Sequence, residues 1–489
     1  MKKIIILFLI SSLTIAQSLH QFENDYYKKS ESLLPLTKSV NTIHKEGRTA
    51  SMLSRTVFGY LPWWEYAAGY HQYVRYDLLT HIAIFSFEAD GNGNLTNPIG
   101  WPWNDVIESA HSNGVKVIMT VASFNGEDIH RLMTDNGIRT KLFENIRLIM
   151  LTSGLDGVNI DFENLRDEND KKYASVAFMM HMKEHFRFNP VYEISFATPS
   201  YGLNQWNFAG LAEHSHYLFI MNYDYWGSWA NSTGPSAPLT GQFISVTNSI
   251  NDEYKDVPPS KIILGVPYYG NYWKTDSNQP YATVKPFNSD STNNNWQKIV
   301  RYREVISDYS QYEKLWDDVS KTPWIRWNDN GWNQVWFDDS TSLEMKYNLA
   351  IQKNLYGVGI WALGYDGSRG ELWKLIDKKF VNPTSVNVND QLPTEIVLYQ
   401  NYPNPFNPET VIKFSIPYVE SRHASTLQHV TLKIYDLLGR EVATLVNEYK
   451  LPGEYSTLFK LNSTLSSGIY LYRLTVGNKA EIKKMLYLK

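Results

Sequence analysis

Eight short β-branched and aromatic runs, separated by stretches long enough for a helix, constrain this 489-residue chain more than any other feature. They occupy residues 57–62, 80–87, 116–123, 157–162, 193–198, 217–223, 261–268 and 357–363. Intervals such as 140–152 and 170–186 leave room for one helix each, and that alternation is the mark of βα units. Eight such units predict an α/β fold, a (β/α)₈ TIM barrel of roughly 250 residues or more. An open doubly wound sheet is the alternative, but no Gly-rich phosphate loop follows the first run. One interval is too long for a crossover. The stretch 269–356 contains Trp273, Trp296, Trp316, Trp324, Trp327, Trp332 and Trp336. It predicts a small α+β insertion, about residues 270–355, between strands 7 and 8 and forming one wall of a cleft.

The two ends read differently. Met1-Lys2-Lys3, the apolar run from Ile4 to Ile10 and the small residues near Ala16 describe a secretory signal peptide over 1–17, too short to span a bilayer. Residues 18–56 are polar and weakly patterned, a leader in which no chemistry stands out. The barrel is expected over 57–380, a polar linker over 381–391, and an all-β sandwich over 392–489, where short alternating runs recur between turn signals such as Leu451-Pro452-Gly453. A formal net charge of −4 gives no reason to seek nucleic acid, and the absence of Cys excludes disulfides, zinc–thiolate sites and a cysteine nucleophile.

Chemistry concentrates in the fourth run, Asp156-Gly157-Val158-Asn159-Ile160-Asp161-Phe162-Glu163. Period-2 alternation sends Val158, Ile160 and Phe162 outward and Asn159, Asp161 and Glu163 inward. Glu163 comes last, at the C-terminal rim where barrel enzymes react. Two carboxylates two residues apart on one strand face cannot both ionise cheaply, so one becomes an acid near neutral pH, as glycosidic cleavage requires. A metal site or a satisfied core network is the competing reading.

This run resembles the signature of glycoside hydrolase family 18, the chitinase family, which cleaves β-1,4 bonds beside N-acetylglucosamine. Further matches are Gly59-Tyr60-Leu61-Pro62-Trp63, Phe85-Ser86-Phe87, Met221-Asn222-Tyr223-Asp224 and Gly359-Ile360-Trp361. The family usually carries Asp where this chain has Asn159. That Asn, with Gln334-Val335-Trp336-Phe337-Asp338-Asp339, is similar to the spore-cortex and peptidoglycan-directed branch.

The resemblance implies a retaining hydrolase; no cofactor is expected, and the scattered His imply no metal. Glu163 is then the acid and later the base, while the substrate's own acetamido oxygen attacks the anomeric carbon. Asp161 orients the acetamido N–H, and Tyr223 donates to its oxygen. The resemblance further implies substrate contacts at Asn159, Asp156, Asp224, Met221, Tyr60, Trp63 and Phe85, with Trp361 as the apolar floor. Asn159 removes one negative charge from the site and predicts a shifted pH optimum.

Weaker candidates remain open. Trp63, Trp64, Trp226, Trp229 and Trp273 are either sugar platforms or core. His181 and His185 are expected on a helix face, without a third metal ligand. At the C-terminus, Asn401-Tyr402-Pro403-Asn404-Pro405-Phe406-Asn407-Pro408, Leu432 to Arg440, Gly468 to Arg473 and Lys483-Lys484-Met485 resemble a type A sorting domain of the type IX secretion system. All 16 Trp lie between Trp63 and Trp373, and their absence from this domain argues against a carbohydrate-binding sandwich. The expectation is a secreted or cell-surface glycosidase acting on chitin, chitooligosaccharides or peptidoglycan, with the type IX machinery as partner and no membrane span in the mature chain. A non-hydrolytic glycan-binding protein on the same barrel is the alternative.

Overall fold

The computed structural model describes residues 19–29, 53–187, 192–381 apart from 203, 242–243 and 288–296, and 395–488 apart from 402, 418–427, 451–452, 461–465 and 478. The expected signal peptide, residues 30–52 of the leader and residues 382–391 of the linker lie outside the described residues. The chain divides into two compact units, Met1–Asn382 and Pro383–Lys489.

The first unit is the expected barrel. Its strands are β1 (Thr56–Pro62), β2 (His81–Ala89), β3 (Lys116–Ser123), β4 (Gly157–Phe162), β5 (Glu193–Pro199), β6 (Tyr217–Met221) and β7 (Ile262–Pro267). The eighth barrel strand is β14 (Gly357–Trp361), because six insertion strands precede it. Each strand pairs in parallel with the next, and β1 closes the ring by pairing with both β2 and β14. Val/Ile/Leu-rich runs suit strands buried on both faces. Inside, the ring of Phe219 fills the space that two glycines leave. A Cβ on Gly359 would come 2.1 Å from that ring, and one on Gly265 would come 2.8 Å from it.

Three strands end sooner than the sequence predicts. The runs 217–223, 261–268 and 357–363 stop at Met221, Pro267 and Trp361, where the chain turns off the ladder to build the rim. Asp224, at φ 60°, holds a left-handed conformation in that turn after β6. Among the described residues no helix is long and apolar enough to cross a membrane.

The insertion contains β8 (Tyr269–Thr275), β9 (Val284–Lys285), β10 (Lys298–Arg301), β11 (Glu313–Asp317), β12 (Thr322–Asn328) and β13 (Trp332–Phe337). They form an antiparallel sheet ordered β9-β8-β13-β12-β11, with β10 pairing to β8. Its tryptophans are largely structural. Trp273, Trp324 and Trp336 make a separate core with Val284, and Trp324 stacks on Trp336 at 5.2 Å and 9°. Trp327 lies flat on Tyr312, while Trp296 is outside the described residues. The Gln334 to Asp339 stretch also holds the fold together. Gln334 accepts from Thr233 and Trp336, Asp338 pairs with buried Lys346, and Asp339 caps the helix Ser340–Gln352.

The second unit has two antiparallel sheets. Strands β15 (Val397–Leu398), β16 (Glu409–Ile416) and β19 (Gly453–Lys460) form one; β17 (Gln428–Tyr435), β18 (Glu441–Lys450), β20 (Gly468–Val476) and β21 (Lys479–Tyr487) form the other, in the order β18-β17-β20-β21. Alternate residues such as Ile412, Phe414, Leu432, Ile434, Tyr472 and Leu474 make its core.

Candidate active site

Strand β4 places its polar residues as the alternation predicts. Asn159 and Asp161 are fully buried inside the barrel, and Glu163 follows the strand at its C-terminal end. Asn159 accepts from the Tyr60 hydroxyl at 2.7 Å and donates to Ser195 Oγ at 2.9 Å, so a neutral amide bridges β1 and β5. Burial, with the neighbouring Glu163 charge, pushes Asp161 up to about 6. Its Oδ1 is buried without a hydrogen-bond partner among the described residues.

Tyr223 and Asp224 follow β6 on the same rim. Tyr223 is buried, and burial first of all raises its phenol well above the usual value. Asp224 accepts from the Tyr269 hydroxyl, and burial pushes it up to about 7. Trp361, at the end of β14, is fully buried, with Phe85 edge-on at 4.8 Å and Tyr60 at 5.5 Å. Met221 ends β6 beside them in sequence and is half-buried.

Asp156 does not join this group. It lies at the opposite end of β4, where Oδ2 accepts from the Val117 backbone N–H and sits 2.9 Å from His111 Nε2. One residue before a strand is the wrong end of a parallel barrel for chemistry. Among the open tryptophans, Trp63, Trp64 and Trp273 are buried, Trp226 is half-buried and Trp229 is exposed. Trp226 borders a cavity of about 330 Å³ with Tyr281, Pro238 and Ile244. His181 and His185 lie on the helix Ser175–His185, where His185 sits 3.4 Å from Glu144.

The leader, in which the sequence showed no chemistry, supplies a further set of residues. Helix α1 (Leu19–Lys29) lies in the cleft. His20, 1% exposed, puts Nδ1 2.8 Å from Glu163 Oε1 and 3.1 Å from Asp161 Oδ2, and Nε2 3.1 Å from the Tyr223 hydroxyl. Its ring lies on Trp361 with centroids 3.7 Å apart. Burial alone would lower the His20 pKa, but Glu163 and Asp161 together outweigh it and raise it to about 10. The ring is therefore an imidazolium that donates from both nitrogens.

Three more helix residues reach the cleft. Glu23 accepts from Trp361 Nε1 and from the Tyr365 hydroxyl, and burial raises its carboxyl. Asn24 accepts from Trp63 Nε1 and donates to Glu88, while Tyr27 stacks on Trp64. Hydrophobic periodicity could not find this helix, because its buried face is polar. The available signal was spacing, since residues 20, 23, 24 and 27 share one helical face.

Among the described residues, His20, Asp161 and Glu163 are the one group whose ligating atoms fall within 4.8 Å of one another. A cation there would have to displace the proton that holds His20 between the two carboxylates. The remaining groups can donate a proton, orient an amide and support an apolar ring, which is the equipment of acid–base catalysis.

Comparison with known proteins agrees with this geometry. A putative sporulation-specific glycosylase of Bacillus subtilis (strain 168) is 27% identical over 297 residues, covering 58% of this chain and 65% of that protein. A cortical fragment-lytic enzyme of the same organism is 26% identical, covering 62% and 68%. The chain thus spans about two thirds of the length of these relatives. The spore cortex-lytic enzyme of Bacillus megaterium QM B1551 shares the fold at TM-score 0.56 and 20% identity, over 69% of this chain and 75% of that one. A family 18 N-acetylglucosaminidase from Paenibacillus barengoltzii does so at TM-score 0.57 and 18% identity, over 67% and 100%. Residues 400–487 match a secretion system C-terminal sorting domain. Residues 56–366, the barrel with its buried Asp161–Glu163 pair, match the glycosyl hydrolases family 18, and the chain belongs to that family.

Proposed function

We propose that this protein is a secreted retaining glycosidase that cleaves β-1,4 bonds next to N-acetylglucosamine by substrate-assisted catalysis. One observation carries the reading. Glu163, Asp161 and Tyr223 all reach a single five-membered ring that rests on Trp361. An acid, an amide-orienting carboxylate and a phenol donor around one small planar site suit a pyranose whose acetamido group folds under its own anomeric carbon.

In the first step Glu163 gives its proton to the glycosidic oxygen. The acetamido oxygen attacks the anomeric carbon, the bond to the leaving sugar breaks, and an oxazolinium ion remains. Asp161 Oδ1 accepts the acetamido N–H and offsets the developing positive charge, while Tyr223 aligns the oxygen for attack. Glu163, now ionised, takes a proton from water. The hydroxide adds to the anomeric carbon and the acetamido group is restored, with the β configuration retained.

Glycans of the peptidoglycan type are favoured over crystalline chitin, because Asn159 and the bacterial relatives named for spore cortex both lean that way. Export is read from the sorting domain, with the type IX machinery as partner. Incubation with chitin oligomers and with purified peptidoglycan, followed by mass analysis and NMR of the fresh anomer, tests the reading. New reducing ends of β configuration support it. Initial α product, or no cleavage of either glycan by chains freed of α1, would overturn it.

A further inference from the structure

Helix α1 is amphipathic the wrong way round. Its buried residues are His20, Glu23 and Asn24, whereas Phe22 and Tyr26 are 46% and 55% exposed. A helix that hides its polar side needs a polar partner, since burying these groups unpaired is costly. The cleft is that partner, and nearly every polar atom on the buried face has a mate there. Glu23 satisfies the indole of the proposed sugar floor, Asn24 that of Trp63, and Lys28 pairs with Glu88 at the cleft edge. Asn164, next to the proposed acid, donates to Gln21 at 3.1 Å. His20, in the first turn of the helix, is the residue that meets the Asp161 and Glu163 carboxylates.

His20 does more than fill space. It is a planar, five-membered, cationic ring stacked on Trp361, held by Asp161 and Glu163 on one nitrogen and by Tyr223 on the other. An oxazolinium ion is also a planar five-membered cation, made from the acetamido nitrogen and oxygen that Asp161 and Tyr223 would hold. Resting on the catalytic reading above, we infer that α1 is an autoinhibitory plug, in which His20 stands in for the oxazolinium intermediate and keeps the exported enzyme latent until the helix is released. The cut expected near residue 17 falls two residues before Leu19, so removal of the signal peptide leaves the plug in place. No glycan can rest on Trp361 while His20 does, because both would need the same face of the indole.

The test separates binding from hydrolysis. The probe is the thiazoline analogue of diacetylchitobiose, a sulfur mimic of the intermediate that is not turned over. Its affinity is measured by calorimetry for the full chain, for His20→Ala, for Glu23→Ala with Asn24→Ala, and for a chain carrying a site-specific protease sequence inserted after Lys38. Cutting that chain frees the helix without changing any residue of the barrel. A cleft filled 99% of the time binds a competing ligand about 100-fold more weakly than an open one. Cleavage should therefore tighten probe binding by tens of fold and each helix variant by about tenfold or more. Phe22→Ala, on the exposed side, should bind as the full chain does. Affinity unchanged within twofold after cleavage would overturn the plug. Tighter binding without hydrolysis of chitin oligomers or peptidoglycan would uphold the plug and remove the hydrolase reading instead.

Discussion

The imidazole of His20 lies on the indole of Trp361, with ring centroids 3.7 Å apart and planes 28° from parallel. These residues are separated by nearly the whole catalytic unit in sequence, yet their contact joins a segment outside the barrel to the base of its cleft. It also fixes where a reacting sugar ring would sit, within reach of Glu163, Asp161 and Tyr223.

The occupancy of the cleft by α1 should depend on pH. Facing His20 are Asp161 on β4 and Glu163 just after it, Tyr60 on β1, Tyr223 and Asp224 after β6, and Glu23 on the helix itself. Docking raises His20 from about 6.5 to about 10. A raised histidine contributes its full stabilisation below 6.5 and loses it as pH climbs towards 10. Asp161, which burial and the Glu163 charge push up to about 6, is the carboxylate that faces this imidazolium above that pH. Thiazoline affinity of the uncut chain should thus rise between pH 7 and 9, by up to about tenfold per unit, and not rise in the cut chain. A flat profile in the uncut chain contradicts this linkage.

Glu163→Gln should lower kcat of the helix-free enzyme by about 10²–10⁴-fold, the range supplied by a positioned acid and base. Glycan affinity, followed by calorimetry, should be retained. Turnover close to that of the helix-free enzyme that keeps Glu163 would show that the proton comes from another group.

Asn159→Asp restores the charge that the inner position lacks. With Ser195 and the Tyr60 hydroxyl as its neighbours, the new carboxylate would repel ionised Asp161 and share its proton, so that the pair titrates together. The limb of the pH profile of kcat/KM that reports Asp161 should move upward. A profile superimposable on that of the native enzyme would show that the two positions do not communicate.

Trp336→Ala should destabilise the insertion by about 3–5 kcal/mol, the usual cost of deleting a buried aromatic. Trp336 is fully buried, stacks on Trp324 and donates to Gln334. Denaturant unfolding followed by tryptophan fluorescence measures the loss. An effect below 1 kcal/mol would mean that the insertion collapses around the gap.

Attaching residues 392–489 to a reporter in a cell that has the type IX machinery should send the reporter to the surface or medium, as measured by fractionation. Glycan affinity of the fusion without export would favour a sugar-binding role for the sandwich.

Much of the barrel was legible because its cause is local. Each strand is a short β-branched run, and alternation within Gly157 to Glu163 fixes which side chains face inward wherever one face must meet helices. The motifs at Tyr60, Phe85, Tyr223 and Trp361 fall on barrel strands or just after them, and parallel closure brings them together. Asp156 shows the limit of such reading, since a residue in the right motif lies at the wrong end of the same strand. The tryptophans of the insertion mark a second limit. Composition counted them, but only the sheet revealed that Trp273, Trp324 and Trp336 face one another rather than a sugar.

The amino-acid sequence by itself determined the strand rhythm, the inward Asn159–Asp161–Glu163 face and the change to a Trp-free β domain, because period-2 and helical patterning act within a few residues. Only tertiary structure decided what fills the cleft. Helix α1 has a polar buried face, which no apolar stripe announces, and its partners lie on β1, β2, β4 and β14 and in the loop after β6. Their convergence around His20 follows from barrel closure, a long-range consequence of strand pairing that no local window of sequence contains.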